Sequence, residues 1–296
     1  MSDGFEDGES QLADDLSDAL GAYADLFERG ARIAAHGAGA DELAAWSAAC
    51  FDEAVSLRLL EADGVEYTRD VPDDAVELLR ELYESLVVLS GVERVAHTLS
   101  MPVATCADGA SLERLLRDKG ELARWYAKVA GAPFAAPEIA RCLLPARTRS
   151  ASPFGFSEGD QLAANADREL VEEERSRDLN DVFAGRLAEA VRLYGDAVAL
   201  AQDDPRGADL QASLMASARG EAPALIGFAR LADRRTVSLD PPAEAAPVAR
   251  LVADGFVTLA AAETSEDVAT LPYPSAEDVA TAAWSLRNWL ARLGTV

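Results

Sequence analysis

Apolar residues recur at three- and four-residue steps along most of the chain, the spacing that places side chains on one face of an α-helix. Five such stripes cover the N-terminal half, in residues 10–36, 41–63, 72–101, 111–129 and 137–144. The first stripe consists of Leu12, Leu16, Leu20, Tyr23 and Phe27. The pattern predicts a helical bundle over residues 11–145, preceded by an acidic, flexible N-terminus over residues 1–10.

The pattern in the middle of the chain predicts one long helix whose two halves differ in polarity. Ser157 and Asp160 resemble a capping box at the start of a helix over residues 158–201. Its second half carries a clear apolar stripe, but residues 163–181 are mostly polar. We therefore expect the polar half to face solvent or another chain.

The C-terminal part, residues 206–296, has shorter and more varied patterns. In order, these predict helices over 208–219 and 222–233, a β-prone stretch at 236–239, a helix ending at Gly255, a hairpin formed by FVTLAAA and DVATLPY, and a capped helix from Ser275. The apolar stripe of the last helix is predicted as Val279, Ala283 with Trp284, Leu286 or Arg287, Leu290 and Leu293. The predicted fold class is mainly α, with an N-terminal helical bundle, a long central helix and a smaller C-terminal α+β module.

The order of elements in this module resembles the winged helix-turn-helix family. In ARLVADGFVTLAAAETSEDVATLP, the end of a recognition helix, a glycine turn and a two-stranded wing follow one another, and the resemblance covers residues 206–293. It implies a DNA-binding transcriptional regulator. However, the presumed recognition helix offers only Arg250 as a base and the wing is acidic, so its charge would repel phosphates. A winged-helix shape used for protein contact fits the charges better.

The charge balance indicates the solvent in which the protein works. The chain has 52 acidic residues against 27 basic ones, a net charge of −25, and only Lys119 and Lys128 are lysines. Residues 1–75 alone hold 19 acids and 4 arginines. This composition resembles that of proteins from salt-accumulating archaea. Molar salt limits the repulsion between carboxylates to distances of about 3 Å. From this composition we expect a halophilic protein. We also expect it to be cytoplasmic, since no apolar run approaches the roughly 18 residues of a membrane span.

Apart from carboxylates, few residues of the kinds that carry catalysis or bind metals are present. The 296 residues contain three cysteines, none in a CxxC pair, and two histidines. Glycine-rich phosphate loops and the GxSxG motif are absent from the sequence. We expect neither a metal nor a cofactor. A helical-bundle enzyme with a carboxylate-based site stays open as an alternative, because sequence alone cannot show which carboxylates converge.

The most distinctive segment is PARTRSASPFGFSEGD, whose residues 146–157 form a predicted loop between the bundle and the long helix. Arg147 and Arg149 flank a threonine and could fork toward a carboxylate or phosphate, and Phe154 and Phe156 would share one side of an extended backbone. We interpret the loop mainly as a domain junction whose positive charge offsets the negative charge of the bundle. The same four residues are the candidate partner-binding site. We expect a non-catalytic protein-binding factor: a scaffold, an assembly chaperone or a regulator. Its oligomeric state stays open.

Overall fold

The structure is a computed structural model that describes residues 3–36, 39–66, 73–91, 183–203, 206–234 and 242–292. The helices in these ranges are α1 (Asp3–His36), α2 (Ala40–Glu66), α3 (Asp73–Ser90), α4 (183–203), α5 (Gly207–Arg234), α6 (Ala245–Leu259), α7 (Ser265–Val268), α8 (Ala276–Trp284) and α9 (Arg287–Arg292). No strand occurs within them. The mainly helical prediction is thus confirmed for this part of the chain. None of its helices has the length and apolar character that crossing a membrane requires.

Helices α1, α2 and α3 pack together through the stripes that the sequence predicts. All five residues of the predicted α1 stripe are buried, as are Trp46 and Phe51 of α2 and Leu79 and Leu82 of α3. The indole Nε1 of Trp46 donates a hydrogen bond to the backbone oxygen of Leu26, 2.9 Å away, which joins α2 to α1. This part of the predicted bundle is therefore present.

Helices α5 and α6 extend the same hydrophobic core. The two helices pack against each other, α5 also contacts α3, and α6 also contacts α2. Helix α4 joins through Phe183, whose ring stacks on Phe228 of α5, and through Tyr194, whose ring meets Phe256 of α6 edge-on. One continuous apolar cluster therefore contains side chains from both ends of the sequence.

The predicted hairpin is wrong. Residues 256–259 of FVTLAAA form the last turn of α6, and residues 265–268 form the short helix α7. Phe256, Val257 and Leu259 are fully buried, and this packing overrides the strand preference of β-branched and aromatic residues. Asp267 accepts hydrogen bonds from the backbone N–H groups of Glu263 and Thr264, which caps α7 where a wing was expected.

The winged-helix resemblance is therefore not supported. A recognition helix must expose a face to DNA, whereas α6 is buried from Val252 to Leu259 without interruption. The β-prone stretch at 236–239 lies outside the described residues.

Several helix boundaries also differ from the prediction. Helix α1 begins at Asp3, inside the stretch 1–10 that was predicted to be a flexible N-terminus. The predicted helices 208–219 and 222–233 form the single helix α5, with Pro223 inside it. Gly255 does not end α6, which continues to Leu259. This glycine serves close packing, because a Cβ at Gly255 would lie within 2.5 Å of the Tyr194 hydroxyl oxygen.

The last predicted helix begins where expected, at a capping box. The Ser275 hydroxyl accepts the backbone N–H of Asp278, and the Asp278 carboxylate accepts the backbone N–H of Ser275. The chain then turns at residues 285–286, between α8 and α9. Val279, Leu286 and Leu290 of the predicted stripe are buried, but Trp284 is 65% exposed, so its placement in the core was wrong.

Candidate functional site

The four predicted partner-binding residues, Arg147, Arg149, Phe154 and Phe156, lie outside the described residues. The polar stretch 163–181 does as well. Arg250, the residue of the DNA-binding alternative, lies in α6 and is the only predicted site residue that the structure places.

Arg250 pairs with acids of the protein itself. Its Nε donates to Glu84 Oε1 at 2.7 Å and its Nη2 to Asp233 Oδ2 at 2.5 Å. Burial alone would lower the pKa of Arg250, but the hydrogen bonds and charges of Glu84 and Asp233 raise it. The guanidinium therefore joins α6 to α3 and α5.

Glu84 is shared between two arginines. Its Oε2 lies 3.1 Å from Arg230 Nη1, and Arg230 also forms an ion pair with Glu81. Glu84 and Arg230 are both buried. Removing either partner would leave a buried charge uncompensated, which is strongly destabilising.

A second group of charges, with buried acids and the exposed Arg80, lies where α2, α3 and α6 meet. Glu61 Oε1 lies 2.6 Å from Arg80 Nη2, and Glu61 Oε2 lies 3.0 Å from Arg58 Nη1. Asp254 Oδ2 lies 3.9 Å from the same Arg80 nitrogen. The two buried carboxylates thus converge on one guanidinium, a convergence that sequence alone could not show.

Asp254 is the most perturbed acid of this group. Burial raises its pKa from 3.8 to about 6, against the lowering effect of the Arg58 and Arg80 charges. Tyr83 donates a hydrogen bond from its hydroxyl to Asp254 Oδ1 at 3.0 Å, and burial keeps the pKa of Tyr83 well above 10. Asp254 can therefore exchange a proton near neutral pH while Tyr83 stays a donor.

No metal site is formed in the ranges that the structure describes. Within them, no three His, Cys, Asp or Glu side chains come close enough together to hold an ion. The buried acids pair instead with arginines and Tyr83, so we assign both charge groups to the alignment of α2, α3, α5 and α6.

The exposed face of the C-terminal helices offers a different kind of site. Trp284 ends α8 with 65% of its surface exposed, and the guanidinium carbon of Arg287 lies 3.9 Å from the centre of its ring. Glu277 and Ala280 are exposed on the same side of α8, because they precede Trp284 by seven and four residues. We call these four residues the Trp284 surface.

Helical spacing could have revealed this surface from the sequence. At about 100° per residue, Trp284 lies about 140° around the helix from Val279, away from the buried stripe. The turn at residues 285–286 then lets Leu286 and Leu290 face the core while Arg287 reaches back over the indole. Helical spacing alone places Trp284 away from the core. The contact of Arg287 with the indole ring, in contrast, depends on the break between α8 and α9.

The chain matches no protein-family model, no curated protein and no solved structure. The described residues define a mainly α-helical protein with a buried ion pair and an exposed aromatic–arginine pair.

Proposed function

We propose that the protein is a non-catalytic protein-binding factor, acting as a scaffold, assembly chaperone or regulator in a salt-rich cytoplasm. The observation that carries the proposal is the exposure of Trp284 beside Arg287. Tryptophan and arginine are the residue types most enriched among those that dominate binding energy at protein interfaces. Leaving an indole in water is also unfavourable, and a partner that covers it recovers that free energy.

The loop residues Arg147, Arg149, Phe154 and Phe156 form a second, independent candidate contact. They combine the same two kinds of side chain, aromatic and guanidinium. The Trp284 surface and the loop are therefore tested separately.

The test is co-purification from the organism that encodes the protein, in molar KCl, with the partners identified by mass spectrometry. We expect Trp284→Ala to reduce partner recovery about tenfold, as for a residue that dominates an interface. The double variant Arg147→Ala and Arg149→Ala should reduce recovery if the loop contributes.

Leu200→Ala is the matched control, because Leu200 is the other large apolar side chain exposed in the described residues. Circular dichroism must show unchanged helix content in each variant. Full recovery with a folded Trp284→Ala variant would exclude the Trp284 surface, and full recovery with the double variant would exclude the loop.

A further inference from the structure

One buried donor of the charge group at α2, α3 and α6 has no acceptor. The Nε–H group of Arg58 is buried, and no atom of the described residues accepts a hydrogen bond from it. The Nη1 atom of the same guanidinium is satisfied, since it donates to Glu61 Oε2 at 3.0 Å. Buried polar groups in folded proteins are nearly always hydrogen-bonded, either to the protein or to ordered water. The Arg58 Nε–H group therefore requires a partner.

One oxygen of Asp254 can still accept a hydrogen bond. Its Oδ1 accepts from the Tyr83 hydroxyl at 3.0 Å, whereas its Oδ2 lies 3.9 Å from Arg80 Nη2. The second distance is too long for a hydrogen bond. Arg80 is instead directed at Glu61, to which its Nε donates at 2.8 Å. Asp254 Oδ2 thus keeps its accepting capacity although Asp254 is only 7% exposed.

Arg58 lies near this carboxylate without forming an ion pair with it. Burial raises the pKa of Asp254, and the charge of Arg58 is the largest of the effects that oppose the rise. Burial and the charge of Asp254 raise the pKa of Tyr83, which Arg58 also lowers. Such effects fall with distance, so the guanidinium is close to the Tyr83–Asp254 hydrogen bond. Its own ion pair, however, is with Glu61.

The charges at this junction favour a neutral ligand between Arg58 and Asp254. The guanidiniums of Arg58 and Arg80 and the carboxylates of Glu61 and Asp254 meet there. The guanidiniums would repel a cation, and the carboxylates would repel an anion. Arg58 Nε needs an acceptor, whereas Asp254 Oδ2 needs a donor. Water is the smallest neutral molecule that supplies both, and it commonly bridges polar groups too far apart for a direct bond.

We infer that the junction of α2, α3 and α6 binds one ordered water molecule, which accepts a hydrogen bond from Arg58 Nε and donates one to Asp254 Oδ2. This water links α2 to α6, and it does not depend on the proposed function.

The test is a crystal structure of the full chain, from crystals soaked in rubidium bromide, at a resolution that shows ordered waters. We expect a density peak at about 2.7–3.2 Å from both Arg58 Nε and Asp254 Oδ2, with no anomalous signal from rubidium or bromide. Three results would each overturn the inference: no peak, a direct hydrogen bond from Arg58 Nε to a protein atom, or an anomalous signal that identifies the peak as an ion.

Arg58→Met removes the donor but keeps an unbranched side chain, so the same peak should disappear. Arg192→Met is the matched control, because Arg192 is an exposed arginine that pairs with two exposed acids of its own helix, and the peak should remain. A peak that persists in Arg58→Met would contradict the assignment to Arg58.

NMR of the unsubstituted protein gives a readout that does not depend on the folding of a variant. The Hε proton of Arg58, assigned through its bonds, should show direct cross-relaxation with a bound water. An Hε signal without this cross-relaxation would overturn the inference.

Discussion

Asp254 shows how one buried side chain couples folding to pH. Its pKa of about 6 in the folded protein exceeds its ordinary value of 3.8, so the folded state holds a proton that the unfolded chain releases. The resulting stabilisation is complete below pH 3.8 and is lost as the pH rises to about 6. Above that pH, the shift corresponds to roughly 3 kcal/mol of lost stability.

We therefore expect Asp254→Asn to increase the free energy of unfolding at pH 7, by up to about 3 kcal/mol, because it removes the buried charge and keeps an acceptor for Tyr83. The gain should vanish near pH 4, where Asp254 is protonated. Urea unfolding at both pH values, at one KCl concentration, measures the difference.

Asp209→Asn is the matched control for this prediction. Its exposed carboxylate lies 3.6 Å from Arg206, and such surface pairs contribute little to stability, so both pH values should give small changes. Destabilisation by Asp254→Asn that is equal at pH 7 and pH 4 would contradict the pKa account.

For single side chains, exposure to solvent is easier to predict from the sequence than the pairing of buried charges. The position of Trp284 follows from helical spacing, although its large apolar side chain favoured a place in the core. The meeting of Glu61 and Asp254 at Arg80 joins residues far apart in the chain, and no local pattern encodes it. The chain has 52 acids, so which two of them meet at one arginine is known only once the packing of the helices is known.

Among the elements, α6 depends most on how closely its neighbours approach. It is buried from Val252 to Leu259, and Gly255 allows Tyr194 of α4 to lie against its backbone. The Tyr194 hydroxyl also donates a hydrogen bond to the backbone oxygen of Pro274, just before α8. Gly255 thus determines how closely α4 packs on α6.

We expect Gly255→Ala to lower the free energy of unfolding by about 1–3 kcal/mol, because the new methyl group must displace the Tyr194 ring. Gly195→Ala is the matched control in α4. A Cβ at Gly195 meets nothing within 4 Å, so this change should stabilise the helix by about 0.5–1 kcal/mol. Chemical denaturation of the two variants measures both effects, and equal changes would contradict the packing role of Gly255.

Elements with one apolar face were predictable, and elements buried on all sides were not. The α1 stripe matched residue for residue because only one side of that helix faces the core. FVTLAAA has no polar side to reveal a helical period, so its β-branched and aromatic residues favoured a strand. The break predicted between residues 219 and 222 is likewise absent, since α5 packs on α6 and α3 as one helix that contains Pro223.

At the scale of the whole molecule, the net charge of −25 opposes folding in dilute buffer. We expect the thermal unfolding midpoint to rise between dilute buffer and molar KCl, because salt screens the repulsion among carboxylates. Sucrose of equal osmolality is the control, since it stabilises by exclusion from the surface without screening charge. A midpoint that does not rise in KCl, or rises no more than in sucrose, would contradict the halophilic interpretation.

If the protein works by binding a partner through the Trp284 surface, a photo-crosslinking amino acid at the exposed position Ala280 should react with that partner in living cells while Trp284 stays in place. The same replacement at the exposed Leu200 is the control. We expect one reproducible protein adduct from position 280 that position 200 does not give and that the added change Trp284→Ala removes. No adduct from position 280, or the same adducts from both positions, would show that this surface does not bind a partner.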